Sequence, residues 1–270
     1  MQQLKPLRAS DISGGTKTFA ANSGFLLESS ATIMELCKFS DSTQLLDDVF
    51  GWDVKSWSRA LPFWSKHLTQ GLSGKKVLEL GSNLGGLSLL FAKLGANVVC
   101  SDIGGVHESA IKLHESYCVD QLVTYRDIDA KAIEFPSELF DVIAFKSILG
   151  GIGRNDDLSS IKDVICEMHR VLKPNGIVLF AENLEGNRFH QFFRRRFVKW
   201  GREWRYLTLE ELSRLFSEFD QYHATSWGQL AALGRSNTQR DLLYFADRLI
   251  VPLTTSGSRY IAFGAARKGT

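Results

Sequence analysis

Acidic residues follow three successive apolar runs, where each run ends, and their spacing suits the binding of a nucleoside. Glu79 lies near the end of the first run, two residues before the glycine turn GSNLGG (81–86). Asp102 ends the second run, where a carboxylate can accept hydrogen bonds from both hydroxyls of a ribose. Asp129 ends the third run beside Ala130, where a carboxylate and a backbone N–H can pair with the edge of an adenine ring. One such acid is an ordinary solvated residue, but three in succession indicate a nucleoside site.

The glycine turn lets a ligand approach the backbone closely, because glycine has no Cβ to block it. Gly81, Ser82 and Gly85 fit this pattern, while Asn83 stands where the usual pattern has its middle glycine. Asparagine tolerates a positive φ better than other non-glycine residues, so we expect the turn to keep its conformation. The negative charge of Glu79 would repel a pyrophosphate but attract a cationic amine or sulfonium. The turn therefore disfavours the dinucleotide of an NAD-dependent dehydrogenase.

Strands and helices alternate along the middle of the chain, which brings these residues to one edge of a sheet. Strands are predicted at 75–80, 97–102, 122–129, 140–145 and 177–181, separated by helices at 84–94, 106–117 and 158–171 and by a turn at 173–176. This alternation predicts the α/β class, with a Rossmann-like, doubly wound and mostly parallel sheet. Amphipathic helices are expected before it, around Leu45 and Trp57. After it we expect a helix at 208–219, opened by Thr208, and a strand at 259–267.

The domain organisation follows from this pattern and from the length of 270 residues. We expect a loose N-terminal arm at 1–22 and a single domain at 23–270. Its core is predicted at about 73–182 together with the C-terminal strands. The N-terminal helices of 23–72 and the insert at 183–206 are expected to cover the ligand cleft.

Two stretches of the core resemble a known family. VLELGSNLGGLSLLFAKLGANVVCSD (77–102) closely resembles motif I and the following acidic loop of class I S-adenosylmethionine-dependent methyltransferases. FDVIAFKSILGG (140–151) and MHRVLKPNGIVLFAEN (168–183) resemble the later core motifs of the same family. The resemblance implies the class I methyltransferase fold, S-adenosyl-L-methionine as cofactor and a methyl-transfer activity. It does not specify the acceptor.

The resemblance also implies roles for individual residues. Those lining the methionine end of the cofactor would be Glu79, Gly81, Ser82, Asn83 and Gly85. Asp102 would hold the ribose, with Ile103 stacked on the adenine. Asp129 and Ala130 would hold the adenine edge, while Lys146 and Ser147 would face the sulfonium and the acceptor.

A base is needed if the acceptor is a hydroxyl or an ammonium group, because its proton must leave. The candidates are His190, His223, Glu182 and Lys146, and His190 ranks first because it lies in the insert between Phe189 and Phe192. An imidazole that merely fills space among aromatic rings is the competing interpretation of His190. No histidine and carboxylate cluster has the spacing of metal ligands, so no metal is expected.

The insert combines cations with aromatic rings. Between Arg188 and Arg205 stand seven basic residues, one acid and six Phe or Trp residues. Three functions compete: a clamp for an acceptor phosphate, an interfacial helix on anionic lipid, or an RNA-binding surface. A surface helix with aromatic rings turned inward and cations in water explains the pattern without a ligand. The predicted acceptor-binding residues are Ser147, Arg194, Arg195, Arg196 and Trp200.

A second resemblance concerns the acceptor. The segments 183–212 and 233–243 resemble methyltransferases of bacterial surface-polysaccharide and related biosynthetic clusters. This implies an acceptor such as a sugar carried on a nucleotide or polyprenyl diphosphate, so we expect O-methylation of a sugar or another small anionic metabolite. An RNA or protein methyltransferase and a non-catalytic cofactor-binding scaffold stay open as alternatives.

The net charge and the hydropathy of the chain limit the classes of binding partner that we expect. The formal net charge of +2 is too small to indicate a nucleic-acid binder, and none is expected. The first residues lack the pattern of a signal peptide, and no uncharged apolar run is long enough to span a bilayer. The sequence therefore predicts a cytoplasmic enzyme, with peripheral membrane contact as an option for the insert.

Overall fold

The computed structural model describes residues 42–68, 70–197 and 203–270, so the predicted arm at 1–22 lies outside the described residues. The strands are β1 (Lys76–Leu80), β2 (Asn97–Asp102), β3 (Val123–Asp127), β4 (Phe140–Lys146), β5 (Leu172–Asn183), β6 (Gln221–Trp227) and β7 (Ile261–Arg267). The α-helices are α1 (Thr43–Phe50), α2 (Val54–Trp57), α3 (Ala60–His67), α4 (Gly86–Lys93), α5 (Glu108–Ser116), α6 (Leu149–Ile152), α7 (Leu158–Val171), α8 (Arg188–Phe197), α9 (Leu209–Leu215) and α10 (Asn237–Ile250).

The seven strands form one sheet in the order β3-β2-β1-β4-β5-β7-β6. The strands from β3 to β5 in this order are parallel, and β7 runs antiparallel to both β5 and β6. The chain order reverses between β1 and β4, where neighbouring crossovers leave on opposite sides. A crevice at the carboxyl ends of these two strands is therefore where such a sheet binds ligands. The predicted doubly wound, mostly parallel sheet is confirmed.

Both faces of the sheet are buried, which explains the continuous apolar runs of its central strands. On one face the N-terminal helices and α4 pack against β1, β2 and β7, with Trp57 and Trp64 fully buried. Trp64 Nε1 donates to the carbonyl of Phe180 at 3.3 Å and so fixes α3 to β5. On the other face α7 and α9 pack around Phe180 and Phe216. The sheet is thereby a rigid platform for the residues at its carboxyl edge.

Side-chain caps fix where several helices begin. Asp157 Oδ1 accepts from Ser160 N–H at 3.0 Å at the start of α7, whose predicted bounds are confirmed. Thr208 and Glu211 form the predicted capping box at the start of α9, although this helix ends at Leu215 and not at residue 219. Such a cap contributes about 1 kcal/mol, so short polar motifs set these boundaries.

Three features differ from the sequence predictions. The turn predicted at 173–176 lies inside one strand, β5; Asn175 takes a φ of 62° there, and its N–H bonds to the carbonyl of Lys268 at 3.1 Å. The third strand ends at Asp127 and not at Asp129. Finally, β6 and α10 were not predicted, because β6 alternates weakly and α10 follows an irregular stretch.

Two properties of the described residues bear on function. None of the helices in the ranges given above is long and apolar enough to cross a membrane. Within those same ranges, no group of three or more His, Cys, Asp or Glu side chains is arranged to hold a metal ion.

Candidate active site

Glu79 is buried at the end of β1, directly below the glycine turn. Its Oε2 accepts from the N–H of Ser88 at 2.8 Å and from the Ser88 hydroxyl, in the first turn of α4. Burial raises the pKa of Glu79 to about 7, although the hydrogen bonds from Ser88 act in the opposite direction. A carboxyl group with this pKa changes its charge readily when a cation binds beside it.

The glycine turn has the conformation that the sequence predicts, but its glycines serve packing. Asn83 takes a φ of 48°, as expected for the residue that replaces the middle glycine. A Cβ on Gly81 would lie 2.4 Å from Ile148 Cγ2, and one on Gly85 would lie 2.8 Å from the ring of His114. A Cβ on Gly86 would lie 2.1 Å from the backbone oxygen of Val49 in α1. Close packing therefore also requires glycine at these positions, and their contacts with the cofactor stay a prediction.

Asp102 ends β2 next to the turn, where its carboxylate organises the surrounding backbone. Oδ2 accepts from Asn83 N–H at 2.7 Å and Oδ1 accepts from Ile103 N–H at 2.9 Å. Each carboxylate oxygen can accept more than one hydrogen bond, so both keep capacity for ligand hydroxyls. The Ile103 side chain is 70% exposed, which leaves its apolar surface available to a planar ring. This arrangement is compatible with the predicted ribose and adenine contacts.

Asp129 does not occupy the strand end that the sequence assigned to it. In the parallel register Asp102 is paired with Asp127, and Asp127 Oδ1 accepts from Gly104 N–H at 2.8 Å. Asp129 lies two residues farther on, and its Oδ1 accepts from the N–H of Lys131 at 2.9 Å. Ala130 is half-buried beside it. The adenine contacts of Asp129 and Ala130 stay a prediction. Asp127, which no sequence pattern singled out, fixes the loop after β2.

A cleft of about 910 Å³ opens at the carboxyl ends of β1 and β4, and we call it the first cleft. Its walls are the glycine turn with Glu79, the end of α1 with Asp47 and Asp48, and the strand ends at Lys146 and Asn183. Asp48 Oδ2 also accepts from the Tyr117 hydroxyl at 2.6 Å. Gly81, Ser82, Asn83 and Gly86 line the cleft, whereas Gly85 is buried and is not part of its lining. The first cleft therefore occupies the switch point of the sheet.

Lys146 ends β4 on the floor of the first cleft. Its Nζ lies 4.9 Å from the ring centroid of Trp57. Desolvation lowers the pKa of Lys146 to about 8, against the opposing attraction of the carboxylates of Glu182 and Glu79. An amine with this pKa is partly neutral near physiological pH and can accept a proton.

The residues beside Lys146 are held by a small polar network. Asn183 Nδ2 donates to Ser147 Oγ at 2.7 Å, so the side chains that end β4 and β5 meet in the cleft. Ser147 takes a φ of 56°. Behind them Glu182 is fully buried and accepts from the N–H groups of Leu149 and Asn183, both at 2.9 Å. Burial raises the pKa of Glu182 to about 7.

His190, the first-ranked base, is buried with both ring nitrogens engaged. Nε2 lies 2.5 Å from the carbonyl oxygen of Gln229, and Nδ1 accepts from Asn187 N–H at 3.2 Å. Burial lowers the pKa of His190 to about 4. These contacts give it a structural role, holding α8 against the loop after β6. His223 is farther away, because its ring stacks on His67 at the opposite end of the sheet.

The basic residues of α8 differ in their surroundings. Arg194 points inward: its Nη1 donates to the carbonyl of Leu184 at 2.5 Å, and its guanidinium lies 4.1 Å from the ring centroid of Tyr206. Phe189 and Phe192 are exposed, which reverses the simple interpretation of inward rings and outward cations. Arg196 is exposed. The side chain of Arg195 and all of Trp200 lie outside the described residues.

The chemistry of the first cleft fits a cationic nucleoside. Three carboxyl groups line it, from Asp47, Asp48 and Glu79, and these can attract an ammonium and a sulfonium. Asp102 accepts a hydrogen bond from Asn83, which lines the cleft, so Asp102 and Ile103 lie next to it. The ribose and the adenine of a nucleoside bound in the cleft would reach these two residues. The volume is also within the usual range for cofactor sites.

Residues 78–180 match the family model of a methyltransferase domain. The ubiquinone biosynthesis O-methyltransferase of Pseudomonas aeruginosa is 35% identical over 113 residues, which are 41% of this chain and 45% of that protein. The protein of the same name from Pseudomonas entomophila is 39% identical over 113 residues, with the same coverage. The chain thus matches less than half the length of these curated relatives.

Solved structures share the fold at low identity. Phosphoethanolamine N-methyltransferase 2 of Haemonchus contortus, in complex with S-adenosyl-L-methionine, aligns with a TM-score of 0.55 and 18% identity over 87% of this chain and 60% of that one. The cyclase SpnF aligns with a TM-score of 0.52 and 17% identity over 80% of this chain and 83% of that one. The family-model match thus identifies residues 78–180 as a methyltransferase domain, and the solved structures show that the chain has the fold of S-adenosylmethionine-dependent methyltransferases of class I.

Proposed function

We propose that the protein binds S-adenosyl-L-methionine in the first cleft and transfers its methyl group to a hydroxyl oxygen of a small anionic molecule. The observation that carries the proposal is the placement of Glu79 and Lys146 at the ends of adjacent strands in one cleft. The relatives named O-methyltransferases support oxygen as the methylated atom. The resemblance of 183–212 to enzymes of polysaccharide clusters supports a sugar phosphate as one candidate acceptor. A cytoplasmic location is part of the same proposal.

The mechanism assigns alignment and proton removal to residues of the chain. When bound, S-adenosylmethionine would supply a methyl group on a sulfonium, whose neutral thioether leaving group needs no acid. Lys146 Nζ takes the proton of the acceptor hydroxyl, while Asn183 and Ser147 hold that hydroxyl beside it. Glu79 would face the positive charge of the cofactor, and Asp102 would accept hydrogen bonds from its ribose. Glu182 keeps the loop after β4 in place through its backbone hydrogen bonds.

Cofactor binding is expected to release protons at pH 7.5. A bound cation stabilises the ionised form of Glu79 and the neutral form of Lys146, so it lowers the pKa of both groups from about 7 and about 8. Calorimetric titrations in phosphate and in Tris, whose ionisation enthalpies differ, measure the number of protons released. We expect a fraction of one proton, and less in the Glu79→Gln variant. Equal enthalpies in both buffers, or proton uptake, would contradict the proposed positions of these groups.

The acceptor is identified most directly with labelled donor. The purified protein is incubated with methyl-labelled S-adenosylmethionine and fractionated extracts of its source organism, and the labelled product is then identified. A labelled small molecule with a new methoxy group is the expected result. Label that enters only RNA or protein would favour the alternative methyltransferase class.

A non-catalytic scaffold is the alternative from another class, because a fold does not by itself establish a reaction. Lys146 favours an enzyme. Desolvation of its amine costs free energy, and the hydrogen bonds that hold Glu79 and Glu182 in place do not involve that amine. Saturable cofactor binding together with no labelled product from any fraction would support the scaffold. Contact of the exposed Phe189 and Phe192 with a lipid surface stays a prediction in either case.

A further inference from the structure

A second cleft of about 510 Å³ adjoins the first and differs from it in chemistry. It is lined by α8, the loop from Ala232 to Arg235, and α10, and it shares Trp52 and Asn183 with the first cleft. Trp52, Phe193 and Leu233 give it apolar walls. Because the two clefts share these walls, a molecule in the second cleft can present one end to the first.

The charged side chains that line the second cleft are all cationic. They are Arg194, Arg235 and Arg240, and none of the described residues lining it is Asp or Glu. The first cleft carries the carboxyl groups of Asp47, Asp48 and Glu79 besides the cations Lys146 and Arg154. An anion therefore meets only cations among the charged side chains that line the second cleft, whereas three carboxyl groups would repel it in the first.

Arg240 is the cation with the clearest capacity for a ligand. Its guanidinium lies 5.6 Å from the ring centroid of Trp52, and Nη1 donates to Asn237 Oδ1 at 3.2 Å. Its Nε is buried, yet none of the described residues offers it a hydrogen-bond acceptor. A buried N–H without an acceptor is costly, and an anionic ligand would remove that cost. Asp53 is not that acceptor: it is buried against Tyr260, whose hydroxyl donates to its Oδ2 at 2.5 Å.

We propose that the second cleft binds the acceptor, and that this acceptor is a hydroxylated aromatic ring with an anionic substituent. The inference rests on the proposed function and narrows its substrate class. The ring packs between Trp52 and Phe193, and the anion pairs with Arg240 and Arg235. The hydroxyl reaches Asn183, whose amide already meets Ser147 next to Lys146. The acceptor hydroxyl and the base thus meet where the two clefts join.

The lining favours an aromatic ring over a sugar. A sugar presents several hydroxyl groups, and protein sites usually meet them with carboxylates and amides. The second cleft offers one amide, on Asn183, besides the ring of His190, whose nitrogens are already engaged. An aromatic ring needs only apolar surface on its faces. The second cleft therefore selects against the polyhydroxylated candidate suggested by the resemblance to polysaccharide enzymes.

Two probes of one shape test the charge requirement. Ligand-observed NMR titration compares 4-hydroxybenzoate with its neutral counterpart 4-hydroxybenzamide, using the whole protein saturated with S-adenosylhomocysteine. We expect the benzoate to bind about tenfold more tightly, as one charge-assisted hydrogen bond would give. Glucose 1-phosphate is expected to bind more weakly than the benzoate. Equal binding of the two aryl probes, or tighter binding of the sugar phosphate, would overturn the inference.

Variants locate the binding site. Arg240→Gln is expected to remove most of the preference for the benzoate, whereas Arg248→Gln, exposed on the same helix, should leave it unchanged. Arg235→Gln is the second test if Arg240→Gln does not fold, as judged by thermal melting. A preference that survives both substitutions would refute the assignment. Titration of the unsubstituted protein with S-adenosylmethionine alone separates the two proposals, because the proposed function fails if that ligand does not bind, whatever the probes do.

Discussion

Replacing Lys146 with methionine is expected to lower kcat for methyl transfer by about 100- to 10,000-fold, the usual contribution of a positioned general base. Methionine keeps the length and apolar stem of the side chain but cannot accept a proton. The activity of the unsubstituted enzyme should rise with pH and level off above about pH 8, as the amine with a pKa of about 8 becomes neutral. A bound cation shifts this rise to lower pH. The initial rate across pH 6–9, with the acceptor identified from extracts, measures both effects.

Lys146→Arg distinguishes a base from a simple positive charge. Arginine keeps the charge near Glu79 and Glu182 but stays protonated at every accessible pH. We therefore expect Lys146→Arg to be as inactive as Lys146→Met, with S-adenosylmethionine binding retained in both. Lys66→Met, an exposed substitution away from both clefts, is the control and should keep full activity. Substantial activity in Lys146→Arg would contradict the role of Lys146 as base.

Replacing Gly86 with alanine is expected to lower the free energy of unfolding by about 2 kcal/mol, within the range for overpacked sites. The new Cβ would lie 2.1 Å from the backbone oxygen of Val49, so α1 and α4 must move apart. A melting temperature lower by about 4–8 °C is the corresponding shift for a chain of this size. Because α1 forms one wall of the first cleft, cofactor binding should weaken as well.

Gly257→Ala is the matched control for this substitution. A Cβ at that position meets nothing within 4 Å, so the free energy of unfolding should change by no more than about 0.5 kcal/mol. Thermal melting of the two variants under one condition makes the comparison. Equal stability of both variants would show that the contact between α1 and α4 adapts easily, and would contradict the close packing described for the glycine turn.

The parts of the fold with a local cause could be predicted from the sequence. Asn83 was expected at a positive φ because few other side chains tolerate it, and the structure gives 48°. The start of α7 and the capping box at Thr208 follow from side chains that bond to the nearest backbone. The doubly wound sheet follows from the alternation of apolar runs. Each of these features depends on residues close together in the chain.

The remaining features of the site could not be predicted from the sequence, because they depend on contacts between segments that are far apart in the chain. The role of Gly86 is set by Val49, and that of Gly85 by His114. His190 stood among aromatic residues in the sequence, yet its ring is engaged by Gln229, 39 residues later in the chain. The second cleft joins Trp52 to Arg240 across most of the chain. One local signal was available: the helical spacing of Arg240, Leu243, Tyr244 and Asp247, which marks the inward face of α10.

Calorimetric titration with S-adenosylmethionine tests the central claim most directly. Saturable binding with one site per chain is the expected result. Asp102→Ala should weaken it by about 10- to 100-fold, because the carboxylate makes charge-assisted hydrogen bonds with the ribose. Asp163→Ala, exposed on α7, is the control and should bind like the unsubstituted protein. Absence of detectable binding to the folded protein, or equal affinity in Asp102→Ala, would contradict the assignment of the first cleft as the donor site.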